Sequence, residues 1–317
     1  MEDINRLFTD KVKVEDNLII LAQSSGFANQ QQTNEIFSDK WTEVNNNQSV
    51  EKLSEFQFNW YFDLYGFQDR ADITRFLKDK HVILDAGCGL GYKAAWFAEM
   101  APESLVIGMD FSDAAFHAAN RYKHVKNLYF VRGDIADSHL KKETIDFVSC
   151  DQVLQHTENP EATFRHLTEI TKTGGRFACY VYAKKALPRE LLDSHFRELS
   201  KHLTRDQLWE LSKQLTQLGK TLSDLNIKIE CPDIPLLEIK GGTYDLQRFV
   251  YWNFIKCFWK EDWGFELSTS TNFDWYAPSN AKRYSEEEYK EMINASNLEI
   301  EYFHKEEACY SGRFLKK

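Results

Sequence analysis

An apolar run that stops on an acid and passes at once into alternating glycines leaves a chain little choice of local structure. Residues 82–92 read Val82-Ile-Leu-Asp85-Ala-Gly87-Cys88-Gly89-Leu-Gly91-Tyr92. Glycines at these spacings let the backbone turn sharply from a strand into a helix and lie against a ligand with no Cβ in the way. A second apolar run, Leu105 to Asp110, also closes on an acid, where a bound ribose would present its hydroxyls. The pair of runs implies an adenosine-bearing ligand. A nicotinamide-dependent dehydrogenase is disfavoured, because the dinucleotide fingerprint needs a small residue where Tyr92 stands, and Gly91 comes one position early.

The segment from Asp85 to Gly91 resembles the first motif of the class I S-adenosylmethionine-dependent methyltransferases. Four later segments follow in that family's order. Tyr129 to Asp134 resembles the strand ending in an acid at the adenine. Ile145 to Pro160, with Asp151, Gln152 and His156, resembles the strand and loop bordering the methyl group. Lys172 to Tyr182 resembles the turn and strand that conclude the parallel run, and Leu105 to Asp110 supplies the ribose acid. The resemblance covers residues 78–183, and five elements in order make coincidence improbable. It implies S-adenosylmethionine as cofactor, with S-adenosylhomocysteine as product. Asp85 and Gly87 would meet the methionine portion and Asp110 the ribose, with Cys88 and Gly89 also at the cofactor. Asp134 and the backbone of Ile135 would hold the adenine with Phe111 against its ring, and Asp151 and Gln152 would border the methyl group. The stretch Phe273 to Pro278, then Arg283 to Glu288 and Ser311-Gly-Arg, resembles a bacterial small-molecule-type subgroup with a cap inserted after the fifth strand.

Net charge is −10, which argues against nucleic acid as partner, since its binding rests on clustered Lys and Arg. The six cysteines show no CxxC or Cys/His ligand spacing, so no metal is expected and a reduced, cytoplasmic setting is the plain reading. No stretch approaches the ~20 apolar residues of a membrane-crossing helix. A homodimer is left open.

The organisation expected is α/β: a doubly wound, mostly parallel, seven-stranded Rossmann-like sheet with a helical, aromatic-rich cap. Residues 1–77 form an N-terminal helical or lid segment, with a short helix near Val14 to Gln23. The polar stretches from Ala28 and from Asn45 read as loops. Trp41 and Tyr61 are either lid residues over the cofactor or packing on the outer face of the core. Residues 78–183 are the cofactor-binding core, with Ser112 capping its second helix and Gly174 stopping the one before the fifth strand. Residues 184–272 are the cap, including a capping box at Thr204–Gln207 and Gly219 as a helix stop. Residues 273–317 complete the core from a second capping box at Ser285–Glu288. Insertions in parallel sheets sit in strand-end loops, so the cap is expected over the site. Within 244–276 stand 12 aromatics in 33 residues, of which two to four are expected to line a pocket and the rest to form the cap's own core.

Methyl transfer from a sulfonium disperses charge, so it needs alignment and exclusion of water more than an anion-stabilising pocket. A hydroxyl or ammonium acceptor must also lose a proton, for which His156, His195 and Asp274 are candidate bases. Tyr182, Tyr244 and Tyr276 are candidates to position the acceptor. The leading expectation is a methyltransferase acting on O, N or S of a small molecule under the cap. The alternatives are a catalytically silent cofactor-binding scaffold and a methyltransferase of proteins.

Overall fold

The computed structural model describes residues 2–21, 27–45 and 49–317, in two compact units: Met1–Ala183 with Lys282–Lys317, and Lys184–Ala281. In the first unit, α1 (Glu2–Asn5), β1 (Val14–Glu15) and β2 (Leu18–Ile20) precede three helices, α2 (Ala28–Asn45), α3 (Ser49–Tyr65) and α4 (Arg70–Leu77). The alternating core follows: β3 (Val82–Ala86), α5 (Tyr92–Met100), β4 (Leu105–Asp110), α6 (Ala114–Arg121), β5 (Leu128–Arg132), β6 (Ile145–Cys150), α7 (Pro160–Ile170) and β7 (Thr171–Ala183). The second unit holds α8 (Leu187–Ser200), α9 (Arg205–Asp224), β8 (Lys228–Cys231), β9 (Gly242–Asp245), α10 (Leu246–Asn253) and α11 (Gly264–Tyr276). The chain then returns to the first unit through β10 (Arg283–Tyr284), α12 (Glu286–Ala295), β11 (Leu298–Lys305) and β12 (Cys309–Lys316).

The sheet runs β1-β2-β5-β4-β3-β6-β7-β12-β11, with β10 beside β7. Strands β2 to β7 pair in parallel, while β12 is antiparallel to both β7 and β11. The expected seven strands are therefore present as β5-β4-β3-β6-β7-β12-β11, extended at one edge by the β1–β2 hairpin. Alternate residues of each central strand face opposite layers. Leu84, Ile107, Val131 and Val148 pack into one apolar cluster, and Ile83, Val106, Phe130 and Phe147 into the other. Burial on both faces is what a covered parallel sheet requires.

Two N-terminal expectations change. The helix expected near Val14 is instead the β1–β2 hairpin, turning at Asp16 with φ 54°, a conformation Asp and Asn tolerate better than most residues. Its branched run Leu18–Ile20 pairs in parallel with β5, and residues 22 and 23 of that expectation lie outside the described residues. The polar stretch from Ala28 is helical, because Thr33, Ile36, Lys40 and Val44 recur at helical spacing and are buried while Asn29 and Gln31 take the open face. Of the second expected loop, residues 46–48 lie outside the described residues. Two caps also differ. Asp113 rather than Ser112 stands at the N-cap of α6, and Gly174 lies inside the irregular start of β7 with φ 78° instead of ending α7.

In the second unit the Thr204–Gln207 box opens α9 as expected. Gly219 does not stop that helix, which continues to Asp224. Its missing side chain admits the Cys257 carbonyl, whose oxygen would lie 2.2 Å from an added Cβ. Gly219→Ala should therefore cost stability by about 1–3 kcal/mol through overpacking, despite alanine's better helix propensity. Equilibrium urea unfolding of the variant checks this.

Candidate functional site

The rim of the site is built where β3, β4 and β5 end side by side. After β3 the chain turns through Gly87, whose φ is 80° and where a Cβ would lie 2.3 Å from Val153. No other residue fits that combination of backbone and space. The loop is tied down from β4: the Met109 carbonyl accepts N–H bonds from Gly87 (2.7 Å) and Cys88 (2.9 Å). Asp110 accepts the Gly89 amide at 2.8 Å on one carboxylate oxygen, and the Ser112 amide (2.9 Å) and hydroxyl (2.5 Å) on the other. Burial raises the Asp110 pKa, and these donors oppose the rise. Asp110 thus shapes the glycine loop and keeps lone pairs for a diol. The backbone amides of Gly87 and Cys88 are already bonded, and the Cys88 side chain packs in the core beneath the loop. Both therefore serve as the floor of the cradle and donate no bond through those amides.

Asp134 follows β5, with one oxygen accepting the Ala136 amide at 2.8 Å, and burial raises its pKa. Ile135 is 3% exposed, its side chain in the core beside the Asp134 turn. Phe111 is half-buried at the end of β4. The three acids at 85, 110 and 134 stand on three adjacent strands, as the spacing predicts.

Helix α2 lies across this rim. The Ser38 hydroxyl accepts the Asp113 amide at 3.0 Å, and the Trp41 ring lies about a van der Waals contact above Gly89, 3.1 Å from where a Cβ would be. Lys40 sits over the same indole, its Nζ 4.1 Å from the ring centroid. Of the aromatic pair, Trp41 is the one that lies over the glycine loop. Tyr61 is interior, 1% exposed with its hydroxyl 3.0 Å from Ser149 Oγ.

Beneath the rim is a buried charge cluster that the sequence reading missed in part. Lys93, at the start of α5, forms an ion pair with Asp151, both almost fully buried. The Tyr65 hydroxyl (2.8 Å) and the Gln152 amide (3.1 Å) also donate to Asp151. Burial pulls the Lys93 pKa down, but Asp151, Tyr92 and Asp85 push it further up, so it stays charged. Gln152, with φ 64°, also bonds Gln57 of α3 at 2.6 Å. Asp151 and Gln152, expected at the cofactor, are thus engaged by the protein itself. The signal for the pair was Lys93, a cation in the first turn of a mostly apolar helix, where the helix dipole disfavours it.

Asp85 is the opposite case. It is 1% exposed, and neither carboxylate oxygen has a hydrogen-bond partner among the described residues. Burial chiefly, then the charges of Asp151 and Asp110, raise its pKa to about 7 against the relief from the Lys93 charge. A buried carboxylate left without donors is costly and calls for a cationic partner. The α-ammonium of S-adenosylmethionine is such a partner, and with Asp110 and the flat glycine loop the residues fit that molecule.

Beyond β6, His156 stands in a short 3-10 turn, with Nε2 3.3 Å from the Tyr182 hydroxyl at the end of β7 and Phe37 edge-on at 4.9 Å. These two expected residues meet. In the second unit, Tyr276 is interior: its hydroxyl donates to Asp193 at 2.6 Å, beside Trp275 and Arg189, which bond the same carboxylate. Its expected role on an acceptor gives way to holding that core. Tyr244 donates to the Lys240 carbonyl at 2.7 Å, and His195 is exposed on α8. Asp274 is half-buried on α11.

A family profile described as a methyltransferase domain matches residues 77–233. An uncharacterized methyltransferase of Schizosaccharomyces pombe is 33% identical over 116 residues, 34% of this chain and 42% of the relative. The sterol 24-C-methyltransferase of Kluyveromyces lactis is 30% identical over 140 residues, 40% of this chain and 37% of the relative. A ubiquinone biosynthesis O-methyltransferase of Coxiella burnetii is 25% identical over 203 residues, covering 58% of this chain and 79% of the relative. The chain spans about two fifths of the length of the first two relatives. No described helix is long and apolar enough to cross a membrane. Strand order, acid-ended loops and profile match agree, and residues 77–233 form a methyltransferase domain of the class I S-adenosylmethionine-dependent kind.

Proposed function

We propose that this chain transfers a methyl group from S-adenosylmethionine to an O, N or S atom of a small-molecule acceptor presented beside His156 and Tyr182. The observation that carries the reading is the Asp85 carboxylate, buried and without a donor at the mouth of the glycine loop. When bound, S-adenosylmethionine supplies an electrophilic methyl carbon on a sulfonium. Asp85 holds the ammonium, Asp110 the ribose hydroxyls and Asp134 the adenine, with Trp41 closing the face of the loop and excluding water. His156 takes the acceptor's proton while the acceptor lone pair forms its bond to carbon. The sulfonium would supply that carbon and keep the electron pair of the carbon–sulfur bond it gives up. Tyr182, bonded to His156, keeps the imidazole aimed at the strand end.

A small acceptor is supported by relatives named for ubiquinone biosynthesis and sterol methylation. It also suits the connectivity, since the 184–281 insertion leaves at the end of β7 and β10 re-enters beside Tyr182 and Ala183. Calorimetry should give micromolar binding of S-adenosylhomocysteine, and Asp110→Ala should weaken it by about a hundredfold, the loss of a buried charged acceptor. No heat of binding to the wild-type chain would refute the reading. Labelled methyl appearing in the protein fraction of an extract, and not among small metabolites, would overturn the acceptor class.

A further inference from the structure

The β11–β12 hairpin carries a group of side chains that the reaction does not use. Glu306 and Cys309 exchange backbone bonds across its turn, N–H to carbonyl at 3.1 and 3.3 Å, leaving Glu307 and Ala308 as the loop. Residues paired across an antiparallel ladder project to the same side, as do residues two apart on one strand. Register alone therefore places His304, Glu306 and Cys309 on one face.

Their nitrogen, oxygen and sulfur atoms all lie within 4.8 Å of one another. His304 Nε2 is 3.4 Å from one Glu306 oxygen, and Cys309 Sγ is 3.5 Å from the other. With metal bonds of about 2.0–2.3 Å, the edges of a tetrahedron are about 3.3–3.7 Å. Although a carboxylate oxygen is so near, His304 Nε2 is closed to solvent and makes no hydrogen bond to any described residue. The imidazole nitrogen is thus held close to the carboxylate without being bonded to it.

We propose that His304, Glu306 and Cys309 form a three-ligand site for a borderline-soft divalent cation, Zn²⁺ foremost. Sulfur and imidazole ligands select against Mg²⁺ and Ca²⁺. A thiolate and a carboxylate neutralise the dication, so the filled site carries no net charge beside the fully buried Cys309. On binding, the Cys309 thiol, which in the empty site donates to Glu306, gives its proton to solvent. The fourth coordination position remains for water or another small donor. Sequence spacing concealed the site, because its ligands are brought together by the hairpin register. Cys309 pairs with Tyr182 in the sheet, so the cation would brace the strand beside the His156–Tyr182 pair. The proposal does not depend on the methyl-transfer reading.

Cobalt titration of the chelator-stripped full chain tests it. One Co²⁺ per chain should bind, with a thiolate-to-cobalt charge-transfer band and visible bands of tetrahedral strength, and Zn²⁺ should bleach both. C309S should abolish the charge-transfer band, whereas C231S should keep it. H304Q and E306Q, on less buried positions, should each weaken binding roughly a hundredfold or more, since a direct ligand outweighs the tenfold to hundredfold carried by outer partners. These two decide the matter if C309S fails to fold. No thiolate band in the wild-type chain, or unchanged affinity in H304Q and E306Q, would overturn the proposal.

Discussion

Asp85→Asn should make the cofactor-free protein more stable while removing its ability to hold the cofactor. The native carboxylate titrates near pH 7 because it is buried without donors, whereas in the unfolded chain it titrates near the ordinary value of 3.8. Its pKa is raised on folding, so the native state holds a proton that the unfolded state has already lost between those two values. The stability associated with that proton is complete below about pH 4, declines as pH rises, and is gone above about pH 7. A shift of this size corresponds to about 4 kcal/mol at the alkaline end. The amide cannot ionise, so the advantage of Asp85→Asn over wild type should be large at pH 8 and nearly vanish at pH 4. Urea unfolding at the two values reads the difference directly. Binding moves the other way. The ammonium needs an ionised partner, so wild-type affinity should fall about tenfold per unit below pH 7, and the asparagine should cost a hundredfold or more at pH 8. A variant that gained stability and bound normally would show that Asp85 meets no cation.

That result joins what was legible in the sequence to what was not. The acids at 85, 110 and 134 were readable because each closes an apolar run, and in a parallel sheet such runs end at the ligand edge. Which acids remain available was not readable. Asp151 ends its strand just as Asp85 does, yet Lys93, Tyr65 and Gln152 occupy it, and they come from α5, α3 and the adjoining loop. No local pattern distinguishes a satisfied carboxylate from an orphaned one, because the distinction is made by packing. Helix α2 was hidden for a related reason. Two of the four positions on its buried stripe, Thr33 and Lys40, are polar, so the helical period disappears in a hydrophobicity reading. Gly219 shows the converse error: a residue that commonly ends helices is here inside one because a neighbouring carbonyl needs the space. The strand β2 was missed because its three-residue run gains meaning only from the β5 edge that it covers. His156 and Tyr182 were each candidates on their own, and their contact depends on β6 and β7 being neighbours.

The Lys93–Asp151 pair provides the sharpest test of the interior. Lys93→Met should destabilise the protein by about 3–5 kcal/mol, since it leaves Asp151 charged and buried, with Asp85 close enough to feel the change. The charge of Lys93 also restrains the Asp85 pKa, so its loss should move that carboxyl above 7 and weaken cofactor binding at neutral pH. Recovery should follow from Asp151→Asn in the same chain. Asparagine can still accept from Tyr65, and the paired substitution removes both charges, a change that buried ion pairs often tolerate without loss. Removing the Asp151 charge also relieves Asp85, because that charge raises the Asp85 pKa as Lys93 lowers it. The double variant should therefore regain most of its unfolding free energy and bind cofactor near neutral pH with affinity close to wild type. Urea unfolding and calorimetry on the two single variants and the double close the thermodynamic cycle. Additive losses would mean that the two residues act separately and that the pair does not set the charge of the pocket above it.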